Sequence, residues 1–459
     1  MKTALKAFGV LAAVALVASP VRINAQTTDA KDQKDLKKVI EDQGINYVET
    51  AQKGITLSGY VDTSYTEQFG GRGDGFGGTQ ALDHQFDVHN DNFNVNAVKI
   101  ALEKALPDKN EWAAGFRIDT MYGSDASILS ATDPGLGASS EFFLEQALVK
   151  FRIPVGNGLD IYAGKFTTFL GYEVIESPAN LNFSRGLLFT DAIPLTNTGV
   201  YADYKFNSTF EAKLAVVDGW NSSVSSPNGS VNGATPTGTG FTDTQNNYPF
   251  GGKAIMGQLN INAPGGNANI TQSFIYSPSG EPNNAVSGFA SGDNGPVAVY
   301  DIWGNWNPTF VKDSALLLGF NVDFGYNGAT GTPSQEIDPG ISPAPTVNTR
   351  AINDSNTWYG VALYASYKLT KVVTLSARGE YLHEDASLNP KFGIAGVDQD
   401  DFSETLTASF SIWDNLLTRV EYRFDSVANG STGVAGVTRN NVATYQDQNE
   451  ISLEAVYSF

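Results

Sequence analysis

The sequence predicts an all-β protein, a transmembrane antiparallel β-barrel of about sixteen strands, with short turns at one end and long loops at the other. Three observations predict it. Segments of roughly ten residues alternate apolar and polar side chains, the period of a strand with lipid on one face and water on the other. The connections between them alternate short and long. The chain opens on a leader-like stretch and closes on an amphipathic segment whose last residue is Phe459.

Residues 1–25 read as a secretory leader. Lys2 and Lys6 give it a positive start, and Phe8 to Ala18 is an apolar run too short to span a bilayer as a helix. Ile23-Asn24-Ala25 approximates the small-residue cleavage rule, so the mature chain is expected to begin at Gln26. Residues 26–54 are polar and charged and read as a periplasmic lead-in to a barrel over 55–459. No other segment has a run of 18 apolar residues, which excludes a polytopic helical membrane protein.

The barrel strands follow from the alternation. Leu316, Leu318, Phe320, Val322, Phe324 and Tyr326 form an apolar stripe against Ala315, Leu317, Gly319, Asn321, Asp323 and Gly325. Val361, Leu363, Ala365 and Tyr367 repeat it. Val420, Tyr422 and Phe424 stand against Arg419, Glu421, Arg423 and Asp425, so one face carries all the charge, as a water-lined face must. Sixteen such strands are predicted near 55–69, 91–105, 112–122, 142–153, 158–168, 197–206, 210–219, 253–262, 267–277, 297–306, 314–326, 357–369, 372–382, 402–412, 417–426 and 449–459; fourteen or eighteen are the alternatives. Turns such as Pro107 to Asn110, Pro154 to Asn157 and Thr370-Lys371 follow the even strands. Loops such as 169–196, 220–252 and 327–356 follow the odd ones. Outer-membrane barrels have this asymmetry, with turns in the periplasm and loops outside.

Composition excludes other classes. The 459 residues contain no Cys, which removes disulfide frameworks and thiolate chemistry, and a formal charge of −20 excludes a nucleic-acid binder. The eight predicted long loops hold 21 Asp/Glu against five Arg/Lys, whereas the strands are roughly balanced. The acidity therefore belongs to the outer mouth, where it would concentrate cations over about a Debye length, 8–10 Å. Cation bridging to lipopolysaccharide phosphates is another use for it.

Few residues suggest other chemistry. His84, His89 and Asp87 are the residues most suited to a metal, though their spacing matches neither a zincin helix nor a finger. Asp398, Asp400, Asp401 and Glu404 form an acidic cluster suited to Ca²⁺ but lacking EF-hand spacing. No G-x-S-x-G elbow is present, and all three His fall in predicted loops, so no enzyme and no cofactor are expected. Arg72-Gly73-Asp74 lies in a glycine run and reads as chance. Trp303, Trp306, Trp358, Tyr359, Tyr381, Trp413 and Tyr457 fall toward strand ends and read as interfacial girdles.

The stretch from Val155-Gly156-Asn157-Gly158-Leu159 through Gly164-Lys165-Phe166, Leu170-Gly171-Tyr172-Glu173, Glu176-Ser177-Pro178, Asn182-Phe183-Ser184-Arg185 and Ala192-Ile193-Pro194 to Val217-Asp218-Gly219-Trp220-Asn221 resembles the OmpL-like β-barrel porin family. Ser58-Gly59-Tyr60-Val61-Asp62 is a further match. The resemblance implies an outer-membrane channel, with small hydrophilic solutes as cargo and outer-membrane lipid as surroundings. It fixes no substrate, and a homotrimer is an analogy of fold.

Loop 169–196 is the expected constriction. It is too apolar to stay in water cheaply and should fold into the barrel. That would carry Glu173, Glu176, Arg185 and Asp191 to face wall residues such as Arg117, Lys150, Arg152 and Lys165, either as a pore eyelet or as ion pairs that seat the loop. A structural or adhesive barrel without an open channel is the alternative function, and an outer-membrane enzyme a third.

Overall fold

In a computed structural model of the chain, the described residues are 54–69, 84, 86–87, 91–132, 141–220, 253–278, 296–312, 315–328, 355–385, 398–428 and 446–459. The predicted leader, most of the lead-in, Arg72-Gly73-Asp74, His89 and the outer parts of most long loops lie outside them.

The described residues form a closed antiparallel barrel of sixteen strands, each bonded to its neighbours in sequence. The strands are β1 (Ile55–Phe69), β2 (Asn92–Lys104), β3 (Ala113–Tyr122), β4 (Phe142–Ile153), β5 (Leu159–Thr167), β6 (Thr196–Lys205), β7 (Phe210–Val217), β8 (Ala254–Asn262), β9 (Ala268–Ser277), β10 (Val297–Trp306), β11 (Leu316–Asn327), β12 (Asn356–Lys368), β13 (Val373–Glu384), β14 (Gln399–Trp413), β15 (Leu416–Ala428) and β16 (Gln446–Ser458). Every one was legible in the alternation, with ends displaced by a few residues at most. One element was not: helix α1 (Ser124–Thr132), inside the loop between β3 and β4.

Closure pairs the first strand with the last, from Tyr60 opposite Ser458 to Phe69 opposite Asn449. The terminal aromatic completes the seam: Gly59 and Phe459 exchange both backbone hydrogen bonds at 2.9 Å. Gly59 must lack a side chain here. A Cβ would stand 2.1 Å from the Lys99 carbonyl oxygen and 2.8 Å from the Phe459 ring.

The two faces sort as the dyad pattern requires. Leu214, Leu363 and Leu406 are about 60% exposed on the outside, while Asp323, Arg423 and Glu450 on the inside are at most 1% exposed. A continuous apolar exterior of this kind needs lipid against it. The girdle expectation needs a correction at two positions. Trp306, Trp413 and Tyr457 are exposed outside, but Trp358 is fully buried, its Nε1 donating to the Ala192 carbonyl at 3.2 Å, and Trp303 packs edge-on against Tyr172. Both indoles belong to the interior, where they support loop 169–196.

Two further expectations are corrected. His383 is not in a loop: β13 runs to Glu384, and the ring lies on the strand beside Asp400 at 2.7 Å. The acidic cluster does not converge for Ca²⁺ either. Asp400 and Asp401 are consecutive in β14, so one pairs with Tyr381 and His383 while the other is buried at 1% exposure on the opposite face.

Candidate pore constriction

The chain leaves β5 and returns to β6 by way of loop 169–196, whose neck is closed by the Thr168 amide donating to the Leu195 carbonyl. Between these points it lies against the inner wall. Its apolar residues drive this: Phe169, Leu170, Ile175, Phe183, Leu187, Leu188, Phe189 and Ile193 are all buried. Burying a side chain of this size contributes about 1.5–3 kcal/mol, so eight of them hold the loop far more firmly than a solvated loop is held.

The first contacts are on β5, β6 and β8 to β12. Phe169 stacks on Phe166 and sets its edge on Tyr201, while its carbonyl accepts from Gln258 Nε2 at 2.7 Å and Ser273 Oγ at 2.9 Å. Gly171 turns with φ +91°, a conformation L side chains rarely adopt, and a Cβ there would strike Ile193. Tyr172 then stacks on Tyr364 at 4.1 Å and donates its hydroxyl to Asn305 at 2.7 Å. Burial, with Glu173 beside it, raises the Tyr172 phenol.

Beyond Tyr172 the loop meets charge. Glu173 accepts from Arg378 Nη1 of β13 at 2.8 Å. Glu421 of β15 accepts the backbone amides of Phe183 and Ser184 at 2.6 and 2.9 Å. Arg419 donates to the carbonyls of Asn180 and Ser177, and Arg423 to that of Arg185. A short 3-10 turn at Ser177–Ala179 presents the Ser177 and Asn180 carbonyls to Arg419, and at the ends of a π-helical turn at Leu188–Ala192 the Leu188 amide donates to Glu380 and the Ala192 carbonyl accepts from Trp358.

The predicted site residues thus fall into four groups. Glu173, Glu176 and Arg185 are buried and paired: Glu176 with Lys99 of β2, and Arg185 with Asp125 of α1 at 3.0 Å. Asp191 is half-buried in the π-helical turn. Arg117, Lys150 and Arg152 stand on β3 and β4 with partners of their own. Arg117 grips Asp119, Lys150 meets Glu103, and Arg152 makes a forked pair with Asp160 at 2.6 Å. Lys165 extends over the Phe143 ring, 4.2 Å from its centroid. Glu173 and Glu176 therefore pair with Arg378 and Lys99, not with Arg117, Lys150, Arg152 or Lys165.

Two groups outside the strands report the electrostatics. Burial alone would raise Glu176, yet the Lys99 ammonium holds its carboxyl below the usual range. Asp125 goes the other way: burial pushes it up to about 6 against the pull of Arg185. Lys99 also reaches Glu145 at 2.9 Å and Asp119 at 3.3 Å, so one ammonium sits among three buried carboxylates, with Arg117 as the second cation on Asp119.

At the end of the barrel that carries the short turns, a recess of about 520 Å³ is lined by Arg152, Asp160, Asp203, Lys205 and Glu211. Both charge signs line it. It lies on the β4–β7 side, away from the β12–β16 wall that holds the loop.

The family model described as "Putative beta-barrel porin-2, OmpL-like" matches residues 54–459. Among solved structures, the outer membrane channel DcaP of Acinetobacter baumannii is similar at TM-score 0.51 and 12% identity, covering 88% of this chain and 97% of that one. OprB of Pseudomonas putida is similar at TM-score 0.51 and 14% identity, covering 95% of this chain and 100% of that one. No curated protein matches the chain in sequence.

Proposed function

The chain belongs to the beta-barrel porin-2, OmpL-like family, and from that premise we propose that it is an outer-membrane porin passing small hydrophilic solutes and ions by passive diffusion. The observation that carries this reading is the inward course of loop 169–196. Its neck packs on β5 and β6 and its charged limb is anchored on β2 and on β13 to β15, and the mixed charges of β3 and β4, with the recess at the turn end, mark the side along which solute passes. Selection is then by size at the gap between loop and wall, with a transverse field from Arg117, Lys150, Arg152 and their acidic partners.

The ion preference is mildly cationic. The long loops carry a fourfold excess of acid, and a mouth of that sign enriches cations at low salt and loses the effect at high salt. Residues 1–25 act as a secretory leader and 26–54 as a periplasmic lead-in. The apolar exterior sits in outer-membrane lipid and lipopolysaccharide, and a homotrimer is the assembly proposed by analogy of fold.

A second reading has an observation in its favour. The inner wall from β13 to β16 is packed solid: Arg378, Arg419, Arg423 and Glu454 are each no more than 4% exposed. A barrel filled in this way on every side would be a structural or adhesive surface protein. Planar-bilayer recording on purified protein separates the two. Stepwise conductance with a reversal potential favouring potassium across a KCl gradient supports the channel. A silent bilayer supports the closed barrel, and chloride preference removes the cation claim.

A further inference from the structure

The first long loop sends His84, Phe86 and Asp87 into the barrel, where they meet β15 and β16. His84 Nε2 lies 2.9 Å from Asp425 Oδ2. A carboxylate can only accept, so Nε2 carries the proton and Nδ1 turns to the other side. There Nδ1 stands 2.9 Å from Asp87 Oδ2 and 3.7 Å from Glu450 Oε2. The His84 side chain is wholly buried, yet neither its Nδ1 nor Asp87 Oδ2 has an aligned hydrogen-bond partner. Two electron-rich atoms held this close in a buried site need a positive charge between them, which a proton on Nδ1 or a metal ion in its place supplies.

We propose that His84, Asp87 and Glu450 bind a divalent metal ion of the zinc class. One imidazole and two carboxylates are a zinc-type donor set, with a further position left to water. The Asp425 carboxylate on the far nitrogen is the arrangement that orients a ligating imidazole and raises its basicity. Ser452 Oγ and Gln68 Nε2 each hold one Glu450 oxygen, fixing that ligand in turn. Local charge agrees. Asp87, Asp425 and Glu450 face a single guanidinium, Arg423, which lies 2.9 Å from Asp425 and 3.7 Å from Asp87. With a neutral imidazole and three ionised carboxylates the group is doubly negative, the charge a divalent cation balances; without the metal, protons on His84 and Glu450 balance it instead.

A second cluster in the barrel shows what distinguishes the site. Asp119, Glu145 and Glu176 converge just as closely, but the Lys99 ammonium already sits among them. The bound metal would also have a mechanical effect. Phe86, between the two loop ligands, packs its ring 6.1 Å from Phe189 and 4.4 Å from the Arg185 guanidinium carbon. Metal binding would clamp the first long loop onto the inward loop.

The test is calorimetric titration of zinc chloride into chelator-treated full-length protein folded in detergent. One zinc per chain is expected, with affinity at least about tenfold weaker in Glu450→Gln and in His84→Ala and unchanged in Glu145→Gln. No saturable binding, or equal affinity in all variants, would overturn the site. Should the ligand variants not fold, as judged by the heat-dependent gel shift of the barrel, a chain carrying His89→Ala and His383→Ala retains His84 alone of its 3 His. X-ray absorption at the zinc edge must then show an imidazole nitrogen; an all-oxygen shell overturns the proposal.

Discussion

Arg378 Nη1 lies 2.8 Å from Glu173 Oε1, with both side chains at most 3% exposed and the two residues 205 positions apart in sequence. The same guanidinium donates to the Ser184 carbonyl at 2.7 Å, and its Nε stands 2.8 Å from Glu380. One wall residue therefore grips both limbs of the inward loop. A buried pair of this kind adds little over an apolar substitute, but removing one partner strands the other charge.

Arg378→Ala is accordingly expected to weaken the seating of the loop by about 3–5 kcal/mol, because Glu173 and Glu380 lose their shared countercharge. Hydrogen exchange over residues 170–190 should accelerate while the strands stay protected. The double variant Arg378→Met with Glu173→Gln should recover part of the loss. Unchanged exchange in the single variant would show that the apolar contacts alone hold the loop.

Acidification should tighten helix α1. Burial raises Asp125 to about 6, above its unfolded value near 3.8, so the folded state binds the extra proton. That stabilising contribution is fully present below the unfolded value and is lost as pH rises through about 6. Exchange protection of Ser124–Thr132 should therefore fall between pH 4.5 and 7, by more in the wild type than in Asp125→Asn. Parallel pH profiles for the two proteins would contradict this.

Gly59→Ala tests the seam. The added Cβ would meet the Lys99 carbonyl oxygen and the Phe459 ring, so β1, β2 or the terminus must shift. Overpacking of this kind costs about 1–3 kcal/mol. The variant should show a smaller heat-modifiable fraction after refolding, whereas Gly379→Ala, with open space at the same point, should match the wild type.

Much of this was legible in the sequence because barrel strands carry a local signal. Lipid on one side and water on the other force a period of two, and β1, β4 and β10 could be bounded from it to the residue. The inward course of loop 169–196 was legible too, from its apolar content. What it would touch was not. Glu176 meets Lys99 and Glu173 meets Arg378 only after the barrel has closed, and nothing local distinguishes Arg378 from Arg152 as a partner. Helix α1 escaped for a related reason. Its nine residues have no amphipathic stripe, and its anchoring residue Asp125 takes its meaning from Arg185, 60 positions away. Trp358 was misread because a tryptophan near a strand end suits a bilayer interface and a buried wedge equally well.

Single-channel conductance before and after removal of residues 170–190 tests the central claim most directly. The wild-type barrel should show stepwise conductance, and the deletion, still closing through the Thr168–Leu195 neck, should show markedly larger steps with weaker ion preference. Equal steps in the two proteins would contradict a constriction at this loop.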